Sequence, residues 1–128
     1  MNRISIFASG SGSNAQRISE YFKNHTNVSV SLILSNNPNA GVIERAKSLN
    51  IDCVVFNRQQ FYKSEKVLDL LNDNQIDFIV LAGFLWLVPH YLIRAYKDAI
   101  INIHPALLPK YGGKGMYGIH VHQAVKEA

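Results

Sequence analysis

Five short apolar runs alternate with four segments of helical spacing, and that alternation restricts the chain to one class of fold. The runs are Arg3–Ser9, Val28–Leu34, Cys53–Phe56, Phe78–Gly83 and Ala99–His104, rich in the Val, Ile and Phe that favour strands. Between them, residues 14–24, 41–50, 64–74 and 89–98 repeat apolar side chains at helical spacing. The sets are Ile18, Tyr21 and Phe22; Val42, Ile43 and Ala46; Val67, Leu68 and Leu71; and Leu92, Ile93 and Tyr96. Ser64 reads as an N-cap and Pro89 as a first-turn residue. Strands that are apolar along nearly their whole length are buried on both faces. The expectation is therefore an α/β domain: a Rossmann-like open, mostly parallel sheet with helices on both faces. A length of 128 residues is one domain, 1–128, with enough chain to bury a core. In such sheets ligands bind beyond the carboxyl ends of the strands, so the chemistry is sought there.

The first strand runs into ASGSGSNA, Ala8 to Ala15. Glycines and serines at a strand-to-helix turn allow tight curvature and aim free N–H groups at an anion, helped by the helix N-terminus. Gly10, Gly12 and Ala15 also match the permissive dinucleotide fingerprint. That fingerprint needs an acidic residue about 20 positions on, for a ribose hydroxyl. The chain reads LILSNN there, Leu32 to Asn37, with no Asp, Glu or Arg. A single phosphate site over Ser11, Gly12, Ser13 and Asn14 is the better reading, against a nicotinamide-dependent oxidoreductase or a plain Gly-rich turn.

The fourth strand ends in LAGFLWLVP, Leu81 to Pro89. Phe84 to Val88 form either a buried hydrophobic corner or a slot for a flat heteroaromatic ligand. Near the end of the fifth strand stand Asn102 and His104, two apart and so on one face. An Asn amide can donate to a developing oxyanion, and a His can move a proton near neutral pH. Pro105 then ends the run. The pair reads as catalytic.

Other features point away from other functions. The formal charge of +4 is mild and scattered, with no Lys/Arg cluster for nucleic acid. Cys53 stands alone in an apolar run, so no intrachain disulfide forms, and it reads as a buried thiol. His120 and His122 lack a third ligand and acidic neighbours, which makes them structural residues and not zinc ligands; no metal is expected. His25 and His90 read as surface residues at element ends. Residues 110–115, KYGGKG, form a basic loop that either closes over the site or is exposed. No signal peptide and no stretch of roughly 18 apolar residues is present, so a cytoplasmic, membrane-free protein is expected.

SGSGSN, VLAGFLWLVP and NIHPALLPKYGG occur together, and at these residues the chain resembles the phosphoribosylglycinamide formyltransferase family. NIHPALLP is shared with the wider group, which includes methionyl-tRNA formyltransferase and formyltetrahydrofolate hydrolase. The resemblance implies the formyltransferase fold and formyl transfer from 10-formyltetrahydrofolate to the amine of glycinamide ribonucleotide, in purine biosynthesis. Those two small molecules are its implied partners, with 10-formyltetrahydrofolate as co-substrate and the protein a monomer or homodimer. It implies phosphate contacts from Gly12, Ser13 and Asn14, and a folate pocket lined by Leu85, Trp86, Leu87 and Val88. It gives Asn102 the formyl group, His104 the role of general acid, and Lys63 the contact that follows the third strand. The family often has arginine where this chain has Trp86, which turns a charged folate contact into stacking. Family members are longer and carry a catalytic aspartate downstream. The sequence stops at Ala128, so the resemblance covers the family's N-terminal two-thirds; the expectation is a C-terminally truncated form with impaired turnover, or a chain whose remainder exists elsewhere. Another formyltransferase or hydrolase of the group, or a non-catalytic fragment that binds phosphate ligands, are the alternatives.

Overall fold

The computed structural model describes residues 2–103. Strands β1 (Asn2–Phe7), β2 (Val28–Ser35), β3 (Cys53–Val55), β4 (Phe78–Ala82) and β5 (Ile100–Ile103) form one sheet in the order β3-β2-β1-β4-β5. Every pairing is parallel. The order runs outward from β1 in both directions, so β1 and β4 flank the point where the winding reverses. Crevices for ligands open at that point in doubly wound sheets.

Helices α1 (Ser13–Tyr21) and α2 (Val42–Ser48) cover one face, where Ala15, Val42 and Ala46 meet Ile4, Ile6, Ile33 and Val80. Helices α3 (Arg58–Tyr62), α4 (Lys66–Asp73) and α5 (His90–Ala95) cover the other. There Phe61, Val67, Leu71, Leu92 and Ile93 pack on Phe7, Leu32, Leu34, Ile79 and Leu81. The expected helices on both faces are thus present.

Helices α2 and α4 stop in the same way. Asn50 and Gln75 adopt left-handed conformations, with φ of 59° and 56°. The following isoleucine N–H then reaches back to the helix, Ile51 to the Ala46 carbonyl at 2.9 Å and Ile76 to the Leu71 carbonyl at 3.0 Å. This is the Schellman arrangement, and each isoleucine packs on the core as the chain turns towards the next strand.

Four local expectations need correction. Glu65, and not Ser64, is the N-cap of α4, although the Ser64 hydroxyl still accepts from the Lys66 N–H at 3.3 Å. Pro89 is itself the N-cap of α5, with an extended ψ of 155°, and not a residue of its first turn. Tyr21 is exposed, because Ala15 and Ser19 are the buried positions of α1. Cys53 is half-buried, since β3 is an edge strand; burial still pushes its thiol pKa up.

Helix α3 had no counterpart in the apolar spacing. It is five residues long, too short to persist in isolation. Its N-terminus is held by a capping box: Asn57 Oδ1 accepts from the Gln60 N–H at 2.8 Å and Gln60 Oε1 from the Asn57 N–H at 2.9 Å. Phe61 anchors it in the core, fully buried, a contribution of about 2–3 kcal/mol. The Asn57-x-x-Gln60 pair is visible in the sequence and would have marked the helix start.

Ser5, in the middle of β1, is fully buried and its hydroxyl has no hydrogen-bond partner among the described residues. An orphaned buried hydroxyl is unfavourable, so Ser5→Ala is expected to stabilise the fold by about 1 kcal/mol. Urea unfolding should show a higher midpoint at an unchanged slope. A lower midpoint would mean that the hydroxyl is satisfied in solution.

Candidate functional site

The carboxyl ends of β1, β4 and β5 meet at one edge of the sheet. After β1, residues 8–12 turn sharply into α1. Gly12 is the N-cap of α1 and is left-handed, with φ 78°. A Cβ there would lie 2.4 Å from Val42 Cγ2 and 2.8 Å from Val42 Cα, at the start of α2. Glycine is therefore demanded by the approach of α2, whatever the loop binds. No side chain caps α1 and its first turn holds no acidic residue, so the Ser13 and Asn14 N–H groups face no competing carboxylate of the helix.

Arg45 of α2 reaches over this loop. Its Nε donates to the Ser11 carbonyl at 2.6 Å and its Nη1 to Gln16 Oε1 at 2.5 Å. A cation therefore sits beside the helix N-terminus. Nothing near Arg45 in the sequence signals this, because its partners lie 34 and 29 residues away. The end of β2 is also occupied by structure. Asn37 Nδ2 donates to the Ser9 carbonyl at 3.4 Å, and Asn37 Oδ1 accepts from the Asn39 N–H at 2.9 Å.

The corner after β4 divides its residues between the core and the surface. Gly83 takes φ 72° and turns the chain. Phe84 and Val88 then point into the core, while Leu85 and Leu87 are 82% and 75% exposed. Trp86 folds back towards α3, with ring centroids 6.1 Å from Phe61, 6.0 Å from Tyr62 and 5.9 Å from Phe56. The Tyr62 hydroxyl donates to the Leu87 carbonyl at 2.5 Å, tying α3 to the corner. Burial raises the Tyr62 pKa, and the Arg58 guanidinium opposes that shift.

Arg58 lies over the Trp86 ring, 4.5 Å from its centroid, a cation–π contact. It lines an open groove of about 450 Å³ with Asn36, Asn57, Gln60 and Trp86. Lys63, expected to contact a ligand, is exposed at the C-cap of α3 and lines neither this groove nor the cavity described next. Arg58 could have been noticed in the sequence only once Trp86 was known to be within reach.

A second, narrower cavity of about 140 Å³ lies under the corner, lined by Leu81, Phe84, Leu85, Trp86, Leu87, Val88 and Asn102. Asn102 pairs in register with Leu81 of β4 and is 8% exposed. Its Oδ1 is buried with no hydrogen-bond partner among the described residues. Buried side-chain oxygens are satisfied in most folded proteins, so this one stands out on the cavity wall. The structure thus brings Asn102 together with Leu85, Trp86, Leu87 and Val88. His104, the 110–115 loop, His120 and His122 lie outside the described residues. Among the described residues no three His, Cys, Asp or Glu side chains gather as metal ligands, and no helix is long and apolar enough to cross a membrane.

Comparison with known proteins gives this edge a context. Residues 2–128 match the model of the formyl transferase family. The chloroplastic phosphoribosylglycinamide formyltransferase of Arabidopsis thaliana is 40% identical over 132 residues, covering 98% of this chain and 45% of that protein. The phosphoribosylglycinamide formyltransferase of Bacillus subtilis (strain 168) is 33% identical over 133 residues, covering 100% of this chain and 68% of that protein. The crystal structure of glycinamide ribonucleotide transformylase 1 from Geobacillus kaustophilus superposes with a TM-score of 0.76 at 40% identity, over 87% of this chain and 62% of that one. The chain spans less than half the length of the Arabidopsis relative, 45%, and 41% of the chloroplastic phosphoribosylglycinamide formyltransferase of Vigna unguiculata. The parallel sheet, the strand order and the match from end to end agree: this chain is a member of the formyl transferase family.

Proposed function

We propose that the chain carries the phosphate-binding and formyl-handling part of an enzyme that moves a formyl group from 10-formyltetrahydrofolate to the amine of glycinamide ribonucleotide, in purine biosynthesis. The observation that carries this reading is the place of Asn102 on the wall of the cavity under the corner, with its Oδ1 buried and without a hydrogen-bond partner among the described residues. The names of the relatives support it. In this reading the Ser11–Asn14 turn holds the phosphate, with N–H groups of α1 and the charge of Arg45 turned towards it. The folate co-substrate supplies the formyl carbon. A cavity of about 140 Å³ accommodates one flat ring system and not a whole folate, which agrees with the lining by Leu85, Leu87 and Val88. The rest of the molecule extends past Trp86 to the open groove, where Arg58, and not Lys63, offers a carboxylate its guanidinium. The amine forms a bond to the formyl carbon as the bond from that carbon to the folate N10 breaks. The Asn102 Nδ2 donates to the negative charge building on the formyl oxygen, and His104 relays the proton that the amine loses to the departing N10.

The test is an assay of formyl transfer with calorimetric titration of glycinamide ribonucleotide. Formyl loss from the folate that depends on glycinamide ribonucleotide is the expected result. Formyl loss to water without an amine would point to a hydrolase, and tight phosphate-ligand binding with no transfer would point to a binding fragment. Trp86 is the sole tryptophan, so a folate analogue should change its emission after inner-filter correction. Arg58→Ala should weaken that response by about tenfold, the loss of one charge-assisted contact. Flat titrations with both ligands would overturn the reading.

A further inference from the structure

One residue joins the loops that the proposed reaction would bring together. Ser9 is the last residue before the Gly10–Asn14 turn and is 6% exposed. Its hydroxyl oxygen accepts from the Leu85 N–H at 2.9 Å. Its own N–H donates to the Gly83 carbonyl at 3.3 Å, and its carbonyl accepts from Asn37 Nδ2 at 3.4 Å. Ser9 thus brackets residues 83–85 on one side and holds the exit of β2 on the other. Leu85, whose N–H it receives, lines the same cavity as Asn102.

The backbone pairing of β1 and β4 ends at Phe7 and Leu81. Beyond that point one main-chain bond, from the Ser9 N–H to the Gly83 carbonyl at 3.3 Å, joins the two loops. The side-chain bond to Leu85 crosses 76 residues of sequence and extends that hold to the start of the 85–88 segment. A corner that shifted by an ångström would still present an apolar slot. It would no longer present the formyl carbon to an amine held by its phosphate on the neighbouring loop, and misplacement of that size costs about a hundredfold in rate.

We propose that Ser9 is a positioning residue: its hydroxyl fixes the 83–88 corner in register with the 10–14 loop, so that two ligands bound on separate strand ends meet at reacting distance. The inference rests on the functional reading above. It involves no contact between Ser9 and either ligand.

The test compares Ser9→Ala with the parent by amide hydrogen exchange and by steady-state formyl transfer. Alanine leaves the Leu85 N–H without its acceptor, so exchange at that amide should quicken by about tenfold or more while core amides such as Ile6 and Ile79 keep their protection. The turnover number should fall about a hundredfold. The KM values for both substrates should stay within about threefold, which separates positioning from binding. Unchanged exchange at Leu85 would overturn the proposal, whether or not the parent is active. Faster exchange with an unaltered turnover number would overturn it as well. If the parent binds neither substrate, the functional reading fails, and the exchange at Leu85 alone decides whether Ser9 holds the corner.

Discussion

Gly12→Val should leave little folded protein. The substitution forces a β-branched residue into a left-handed conformation, which costs about 1–2 kcal/mol for any L-residue and more for valine. It also drives a side chain into Val42, whose Cγ2 and Cα lie 2.4 and 2.8 Å from where a Cβ would stand. Overpacking of that kind adds about 1–3 kcal/mol, because α2 has to move. The sum, about 2–5 kcal/mol, is a large share of the stability of an ordinary domain. Urea unfolding should show a midpoint far below the parent, or the variant should fail to purify as a monodisperse species. A parental midpoint would mean that α2 yields cheaply. Gly10 provides the contrast. No atom of the described residues lies within 4 Å of a Cβ placed there, so Gly10→Ala should keep parental stability within about 0.5 kcal/mol. Loss of phosphate-ligand binding is therefore interpretable at Gly10, whereas at Gly12 it would be confounded with unfolding.

Asn102→Leu should do the opposite: keep the fold and remove the chemistry. The Asn102 amide oxygen is buried without a partner among the described residues, so its replacement by an apolar side chain of the same branched shape, with the adjoining cavity to take the extra volume, relieves an unfavourable burial. Thermal unfolding should occur at the parental temperature or above it. Formyl transfer should fall by about 10²–10³, the usual effect of removing one oxyanion donor. A residue that costs stability and supports rate is the signature of a site, and a structural asparagine would show neither half. A variant that unfolds earlier than the parent, or one that retains parental turnover, would return Asn102 to the core. His104→Ala should lower transfer by about a hundredfold or more through loss of the proton carrier.

Much of this architecture was legible in the chain. Apolar runs separated by helical spacing dictate a parallel sheet, because strands apolar on both faces need helices on both faces and parallel neighbours need crossovers. Among the described residues, all five strands and four of the five helices fall where those patterns lie. The residue types at the strand ends were also readable: a glycine-serine turn before α1, an apolar corner after β4, and Asn102 facing inward on β5 by simple alternation. These are local properties. Side-chain periodicity, turn chemistry and cap signals act over a few residues, so they survive in the sequence without knowledge of the fold.

What only the tertiary structure decided is which of these local features stand beside one another. The order β3-β2-β1-β4-β5 brings the end of β4 against the end of β1, and so Ser9 to Leu85. It sets Gly12 against Val42, which turns a glycine that reads as ligand-binding into one that the helix packing demands. It places Arg58 on Trp86 and leaves Lys63 in solvent, because α3 is held by Phe61 in the core and not by any pattern of its own. Contacts of this kind join residues separated by about 30 to 76 positions. Their partners are chosen by strand order and packing, a collective minimum of the whole chain, and no short stretch of sequence records it.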